Sequence, residues 1–355
     1  MIDDHVHPFP LDYQPLDPVA ISLAGPGGGR RLATELMTGR LSRLLDVDPD
    51  AAVTERDAVA AGGWSAWVRR LLDDAGVAGL LLDDGIGGVE PAPLEAYQRV
   101  AGRPIWRLAR MDPLVDRLID DGASAAEILD AVKAFLGESA AGGCVGFKSI
   151  LAYRTGLAVD PQADLAAAQR SLDPEVTLRR RGKALRDLIM RAACGVAADL
   201  GLPIQVHTGF GDPDIRLAEA NPLLLEDLLR TPEGAAATIV LIHGSHPWER
   251  AAAYLATAKP NVYTELSLSN LFAPLGTADR LLALLDLAPT DKVLVGSDGH
   301  GPPETIWFAC RVLADAWQRV TGVLADAGAR PDWVEGTRVA VFEGNARRIY
   351  RLPEG

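Results

Sequence analysis

The chain of 355 residues has few cysteines and no long apolar segment. Its cysteines, Cys144, Cys194 and Cys310, are far apart and lack Cys-x-x-Cys spacing, so we expect neither a disulfide framework nor a zinc knuckle. No apolar run approaches the roughly 18–20 residues that span a bilayer. The acidic N-terminal residues do not resemble a signal peptide. We therefore expect a cytoplasmic protein with no membrane partner.

Positive charge is also in short supply. The chain has 35 lysines and arginines against 48 aspartates and glutamates, and its formal net charge is −13. Such an acidic surface argues against nucleic acid or anionic membranes as partners. We expect a small-molecule substrate instead, and we leave homo-oligomerisation open. Apolar residues are plentiful at 48%, which is typical of a globular protein with a large core.

Short apolar segments alternate with helix-like segments after residue 75. The predicted strands are 77–82, 104–108, 144–150, 203–207, 238–243, 261–266 and 292–298. The predicted helices are 91–101, 124–141, 182–200, 215–230, 247–258, 277–286 and 303–326. With a first strand in residues 2–8, the strands number eight, the count of the closed (β/α)8 barrel, or TIM barrel, an α/β fold. The alternative is an open doubly wound sheet, which the lack of a GxGxxG motif after the first strand disfavours.

The segment between the first two strands is too long for a simple connection. Prolines and the run 25–29 (GPGGG) exclude regular structure in its first part. Residues 31–75 are predicted to be helical, and the apolar residues at helical spacing are Trp64, Trp67, Val68, Leu71 and Leu72. We therefore predict a single barrel domain over residues 1–355, with a loop and helical insertion at about residues 9–75. Long loops of this kind are usually lids or binding loops.

Polar side chains stand where several of the predicted strands end. His5 and His7 are separated by one residue, so on a strand both imidazoles face the same side. The other strand-end residues are Lys148, His207, His243 and Asp298. In a parallel barrel these ends meet at one face, where active sites form. A lone histidine at a strand end is more often a structural polar residue, but this many coincidences predict a site. Imidazoles and a carboxylate suit Zn²⁺, Mn²⁺ or Fe²⁺.

This set of residues suits metal-dependent chemistry. A divalent metal lowers the pKa of a bound water to about 7. Asp298 could bind the metal, accept the proton of that water and pass it to a leaving group. His243 is predicted either to bind a metal or to polarise the substrate carbonyl. No organic cofactor is expected.

Residues that follow the strands are weaker candidates for substrate contact. They are Tyr153, Arg154, His246, Glu265 and His300. Arg154 suits bidentate binding of a substrate carboxylate. A surface salt bridge is an equally open interpretation of this arginine.

Seven segments along the chain resemble a known family of metal-dependent barrels. They are 3–8 (DDHVHP), 81–85 (LLDDG), 146–157 (GFKSILAYRTGL), 205–211 (QVHTGFG), 241–243 (LIH), 297–305 (SDGHGPPET) and 344–350 (GNARRIY). The pattern resembles the amidohydrolase superfamily, and more narrowly the amidohydrolase-related branch found as the N-terminal part of nodulin/FluG-type fusion proteins. The resemblance implies the same role for Asp298. No glutamine-synthetase-like part follows Gly355, so we expect whatever that fusion couples to be absent or supplied by a separate protein.

Three functions are compatible with these residues. The first is a metal-dependent hydrolase that cleaves a C–N bond of a small carboxylated molecule; the resemblance implies an amide or γ-glutamyl-type amide. The second keeps the site but decarboxylates an acid or hydrolyses a lactone. The third is a metal-stabilised binding module without catalysis. Asp298 beside four histidines argues against the third, because a scaffold needs no open metal position.

Lys148 leaves two metal arrangements open. An ammonium has only donors and repels a cation, whereas binuclear members of the superfamily carry a carboxylated lysine on this strand. The resemblance then implies one metal on His5, His7, Lys148 and Asp298, and a second on His207 and His243. In the mononuclear alternative one metal is held by His5, His7, His207 and Asp298, His243 is catalytic, and Lys148 could pair with a substrate carboxylate. We favour the binuclear arrangement, with zinc as the first candidate.

Overall fold

The computed structural model describes residues 1–18, 21, 31–85, 92–173 and 181–353. Eight strands form one sheet in the order of the chain, and each pairs in parallel with the next. They are β1 (Ile2–Val6), β2 (Gly79–Asp83), β3 (Ile105–Arg110), β4 (Gly146–Ser149), β5 (Ile204–His207), β6 (Ile239–Ile242), β7 (Val262–Leu266) and β8 (Val293–Val295). The predicted TIM barrel is confirmed.

Backbone hydrogen bonds just beyond β8 close the sheet onto β1. The Asp298 N–H donates to the His5 carbonyl at 2.8 Å, and the His7 N–H donates to the Gly299 carbonyl at 2.9 Å. The closure of the barrel therefore brings His5, His7 and Asp298 together, although they lie almost 300 residues apart in the chain.

Helices connect the strands and cover the outside of the barrel. They are α1 (Leu32–Leu45), α2 (Ala52–Gly62), α3 (Trp64–Asp74), α4 (Leu94–Ala101), α5 (Asp112–Asp120), α6 (Ala125–Ala141), α7 (Leu151–Arg154), α8 (Leu165–Arg170), α9 (Lys183–Leu200), α10 (Pro232–Ala236), α11 (Glu249–Ala258), α12 (Ser269–Phe272), α13 (Thr277–Leu285), α14 (Glu304–Asp326), α15 (Pro331–Val339) and α16 (Asn345–Ile349). A π-helical turn, Ala340–Gly344, joins the last two. Within the described ranges, no helix has both the length and the apolar character needed to cross a membrane.

The predicted helix at 215–230 is wrong. This segment forms three separate 3-10 turns, Leu217–Ala220, Pro222–Leu225 and Leu228–Arg230. Pro222 cannot continue a preceding helix because it lacks an N–H and its ring clashes with the previous turn. The Asn221 side chain accepts a hydrogen bond from the Leu223 N–H and starts a new turn there.

Residues 31–75, after β1, were predicted to be helical. The described residues of this segment form the helices α1, α2 and α3. The apolar residues predicted to face inward on α3 are all buried, namely Trp64, Trp67, Val68, Leu71 and Leu72. The glycine-rich run at 25–29 lies outside the described residues.

A buried ion pair joins these helices to the segment that follows β8. Arg56 of α2 donates through Nε to Glu304 Oε1 at 2.6 Å, and Trp67 Nε1 donates to the same oxygen at 2.6 Å. All three side chains are buried. Glu304 is the first residue of α14, and the loop that carries Asp298 leads into this helix. The contact with Arg56 therefore fixes the start of α14.

Replacing Arg56 with methionine is expected to lower the free energy of unfolding by about 3–5 kcal/mol, because it leaves the Glu304 carboxylate buried without its partner. Arg250→Met is the control, since Arg250 and Asp286 form an ion pair with side chains 75% and 70% exposed. That change should cost about 1 kcal/mol or less. Urea denaturation measures both, and equal losses would show that the Arg56 pair has no special role.

Candidate metal centre

Four histidines and an aspartate meet at the C-terminal end of the barrel. His5 lies in β1 and His207 ends β5, while His7, His243 and Asp298 follow β1, β6 and β8. Asp298 Oδ1 lies 3.2 Å from His5 Nε2 and 3.1 Å from His7 Nε2. The His243 ring centroid lies 4.5 Å from that of His207 and 5.6 Å from that of His5. All five are buried, so the structure brings together five of the six predicted ligands within one cluster.

The backbone is strained at the positions that carry this cluster. His243 has a φ of 70° and Asp298 a φ of 52°, both in the left-handed region that non-glycine residues seldom adopt. Leu268, after β7, has a φ of 49°. Such conformations cost about 1–3 kcal/mol each and cluster at functional sites. The strained backbone therefore lies at the strand ends that position His243 and Asp298.

Gln205 fixes the protonation of His5. The amide nitrogen of Gln205 donates to the Asp4 backbone carbonyl at 2.7 Å, so the amide oxygen faces His5. His5 Nδ1 lies 2.6 Å from that oxygen and must donate to it. The neutral imidazole of His5 therefore has its lone pair on Nε2, directed toward Asp298.

His7 and His243 are held in the same tautomer by other acceptors. His7 Nδ1 lies 3.1 Å from the backbone carbonyl of Asp83, which can only accept. His243 Nδ1 lies 2.7 Å from Ser267 Oγ, and this hydroxyl donates to Glu265 Oε2 at 2.8 Å. In both rings Nδ1 is therefore the donor, and in the neutral form of each ring Nε2 carries the lone pair. Metal-binding histidines are typically oriented in this way by their second ring nitrogen.

The lone pair of His5 Nε2 therefore faces the Asp298 carboxylate with no proton between them. Asp298 Oδ1 is at hydrogen-bond distance from Nε2 of both His5 and His7, and the His5 ring, whose proton is on Nδ1, has none to donate there. Burial and the nearby Lys148 lower the pKa of His5 to about 4, so His5 is neutral at pH 7. His207 Nε2 and Asp298 Oδ1 are buried atoms without a hydrogen-bond partner in the described part of the chain. A divalent cation fits this donor set.

The electrostatics of the cluster favour the protonation states in which these side chains bind metals. Burial alone would raise the pKa of the Asp298 carboxyl, but the adjacent imidazoles of His243, His5 and His7 hold it well below its ordinary value. Burial lowers the pKa of both His207 and His243 well below the usual range. An ionised carboxylate and neutral imidazoles are the forms that bind metals.

Lys148 extends from β4 into the edge of the same cluster. Its Nζ lies 3.2 Å from His5 Nε2 and 4.0 Å from Asp83 Oδ2. Burial, opposed by the Asp83 carboxylate, lowers the pKa of Lys148 to about 8. The sixth predicted ligand therefore lies beside His5, with an amine that loses its proton more easily than an exposed lysine.

Two charged residues to which the sequence analysis assigned no role complete the floor of the site. Asp83 ends β2 and Arg110 ends β3. Arg110 Nε donates to both carboxylate oxygens of Asp83, at 3.1 and 3.0 Å. The predicted strands stopped at residues 82 and 108, just short of both residues, so neither was recognised as a strand end.

The cluster opens into a cavity of about 490 Å³. Of the residues predicted to contact substrate, Tyr153, Arg154 and His300 line it. Arg154 donates through Nε to Asp116 Oδ2 at 2.8 Å, so this side chain already has a carboxylate partner. Tyr153 Oη accepts from the Asp212 N–H at 3.0 Å.

Glycine is required in the loop that rests on Tyr153. A Cβ at Gly211 would lie 1.8 Å from Tyr153 Oη and 3.1 Å from His207 Nε2. A larger residue there would push the loop off the tyrosine and crowd the imidazole.

The other two predicted substrate contacts, His246 and Glu265, are not among the residues that line the cavity. His246 makes a hydrogen bond through Nδ1 to the carboxylate of Glu249. Glu265 is fully buried behind His243, where Oε2 accepts from the His243 N–H at 3.0 Å as well as from Ser267. Burial and the nearby Asp4 raise the pKa of Glu265 well above its ordinary value. Strand alternation alone could not decide which way this residue faces.

Comparisons with known proteins point to one family. A family model described as Amidohydrolase matches residues 152–352, more than half of the chain. Protein fluG of Emericella nidulans is 31% identical over an alignment of 364 positions, gaps included, that covers 91% of this chain and 41% of fluG. The chain thus spans about two fifths of the length of that curated relative.

Solved structures share the fold at low sequence identity. A Lactobacillus casei protein assigned as a metal-dependent hydrolase superposes with a TM-score of 0.86 at 24% identity, covering 99% of this chain and 94% of that one. Glucuronate isomerase from Caulobacter crescentus gives a TM-score of 0.68 at 14% identity, covering 100% and 91%. At these identities the structures establish a common barrel fold and no more.

Proposed function

The chain belongs to the amidohydrolase family, and from this premise we propose that it is a metal-dependent hydrolase. We infer that it cleaves the C–N bond of an amide in a small carboxylated substrate. The observation that supports this best is the convergence of imidazole Nε2 atoms on the ionised carboxylate of Asp298.

His5, His7, His207, His243 and Asp298 would hold the metal, either as one cation or, with a carboxylated Lys148, as two, with zinc as the first candidate and manganese or iron as alternatives. When bound there, such a cation supplies Lewis acidity and lowers the pKa of a water to about 7. Gln205, Ser267 and the Asp83 carbonyl keep three of the imidazoles oriented. This support is buried, so it persists while substrate enters and leaves.

Asp298 is the residue best placed to move a proton. Its carboxylate is ionised and lies at the cavity wall, where it can accept a proton from the attacking water. Cleavage of an amide C–N bond requires a proton on the departing nitrogen, and the same carboxyl can deliver it. His243, held by Ser267, presents Nε2 to the same space and orients the substrate carbonyl or binds the cation.

The cavity supports a small, anionic substrate. Its volume of about 490 Å³ lies within the range of roughly 300–1,000 Å³ found for small-molecule sites. Three cations line it, Arg110, Lys148 and Arg154, together with three aspartates, Asp212, Asp214 and Asp298, and two of the cations, Arg110 and Lys148, lie beside the cluster. The sequence resemblance makes γ-glutamyl-type amides the first substrates to screen.

Decarboxylation is the second candidate. Lys148 and Arg110 lie on the floor, beside the metal-binding cluster rather than only at the mouth of the cavity. A carboxylate held by them would lie next to the reacting centre, which favours loss of CO₂ as an alternative to amide hydrolysis.

Product analysis of the zinc-loaded protein tests the proposed function. We expect amine release from at least one γ-glutamyl amide, no CO₂ release from carboxylated aromatics, and loss of turnover after chelation that returns with zinc. CO₂ release without amine release would replace hydrolysis by decarboxylation. Equal rates with and without metal would contradict a metal-dependent reaction of either kind.

A further inference from the structure

We propose that Arg110 binds a carboxylate of the substrate on the cavity floor and so determines which substrates are accepted by their charge. The inference rests on the proposed function, because it names a part of the substrate for that same site. Neither the strand-end histidines nor the family match assigns a role to this arginine.

Arg110 has an unused hydrogen-bonding edge at the cavity. Its side chain is only 9% exposed, and it lines the cavity. Nε and Nη2 both donate to the Asp83 carboxylate. A guanidinium has five N–H donors. Nη1 makes no hydrogen bond to the described residues, so its donors are available to a ligand.

The guanidinium is held in place before any ligand arrives. The Gly85 N–H donates to Asp83 Oδ1 at 3.2 Å, so the carboxylate that grips Arg110 is itself fixed. A Cβ at Gly85 would lie 2.5 Å from Arg110 Cβ, so this loop rests directly on the arginine side chain. Because the arginine is already ordered, binding a carboxylate costs less conformational entropy.

A bound metal would leave the floor with an excess of positive charge. Lys148 Nζ lies 4.0 Å from the same Asp83 oxygen that Arg110 contacts, so two buried cations share one carboxylate. A divalent metal adds positive charge beside the single charge of Asp298. Buried charge without compensation is costly, and an anionic substrate group supplies the compensation. Carboxylation of Lys148 would remove that lysine from this role and leave Arg110 as the cation of the floor.

Arg154 is the competing candidate, and its surroundings suit it less. It shares Asp116 with Arg186, and its side chain is 29% exposed. A charge that water reaches this easily contributes little to binding. The two arginines therefore provide a matched comparison, since each lines the cavity with an aspartate partner.

The probe is a pair of ligands, glutarate and its neutral diamide glutaramide, titrated by calorimetry into the zinc-loaded protein. We expect glutarate to bind more tightly, and the ratio of the two affinities to fall about tenfold or more in the Asp83→Asn/Arg110→Gln double variant. This variant removes the charge without leaving a buried aspartate unpaired. The Asp116→Asn/Arg154→Gln control should keep the ratio.

Arg110→Lys separates recognition from support of the fold. Lysine keeps a positive charge beside Asp83 but lacks the planar fork, so glutarate affinity should fall about tenfold at unchanged zinc content. Unchanged glutarate affinity in this variant, or a ratio that falls only in the Arg154 control, would overturn the assignment. The titration needs no turnover, so a failed amide screen with a successful titration would reject the proposed reaction and keep the carboxylate site.

Discussion

Asp298→Asn should reduce kcat by about 10²–10⁴-fold, the contribution typical of a positioned general base. Asparagine has nearly the shape of aspartate, so the backbone bond from the residue 298 N–H to His5 should persist. What disappears is the charge that faces the imidazoles of His5 and His7. The loss should therefore appear in turnover and not in the fold.

The control for this variant is another buried aspartate. Asp187 is 1% exposed and pairs with Lys183 in α9, and it is not among the cavity-lining residues. Asp187→Asn measures what removing any buried carboxylate costs, and its kcat should stay within about threefold of the parent. Circular dichroism confirms that both variants are folded. Full activity in a folded Asp298→Asn protein would remove this residue from the mechanism.

Lys148→Ala should reduce the metal content from nearly two ions per chain to one or none after loading in bicarbonate. The reason is electrostatic. With a metal bound, an ammonium on Lys148 and the guanidinium of Arg110 would leave a buried excess of positive charge over Asp83 and Asp298. If the ammonium loses one proton, the neutral amine can add CO₂ and release a second proton, and the resulting carbamate would be an anionic metal ligand.

The lowered pKa of Lys148 favours this reaction, because only the neutral amine attacks CO₂. At a pKa of about 8 a useful fraction of the amine is neutral near physiological pH. Lys292→Ala is the control. This lysine donates to the backbone carbonyls of Ala256 and Lys259, away from the cluster, so its removal should leave the metal content unchanged. Elemental analysis decides the matter. One metal per chain whose occupancy ignores Lys148→Ala would establish the mononuclear arrangement.

The clustering of these side chains could be predicted from sequence because a parallel barrel gathers the ends of its strands at one face. His5, His207 and Asp298 needed only a correct count of strands. Their supporting residues depend on contacts that no local pattern specifies: Gln205 orients His5 across the barrel, and Ser267 reaches His243 from the neighbouring strand.

Strand boundaries limited the rest of the prediction. Asp83 and Arg110 were missed because β2 and β3 run slightly further than their apolar runs suggested. Glu265 was predicted to lie near substrate because the sequence could not decide which way its side chain faces near the end of β7. In the structure it accepts a hydrogen bond from the His243 backbone instead. A one-residue error at a strand end changes which side chain is assigned to the site.

Zinc titration of the chelator-treated protein tests the central claim most directly, because the claim is that the Nε2 atoms and Asp298 form a metal site. We expect at least one zinc per chain to bind to the parent protein. A folded His5→Gln/Asp298→Asn variant should bind zinc about a hundredfold or more weakly, since even supporting residues of metal sites contribute 10–100-fold in affinity. A parent protein that binds no zinc, or a variant that binds it as tightly as the parent, would contradict the account.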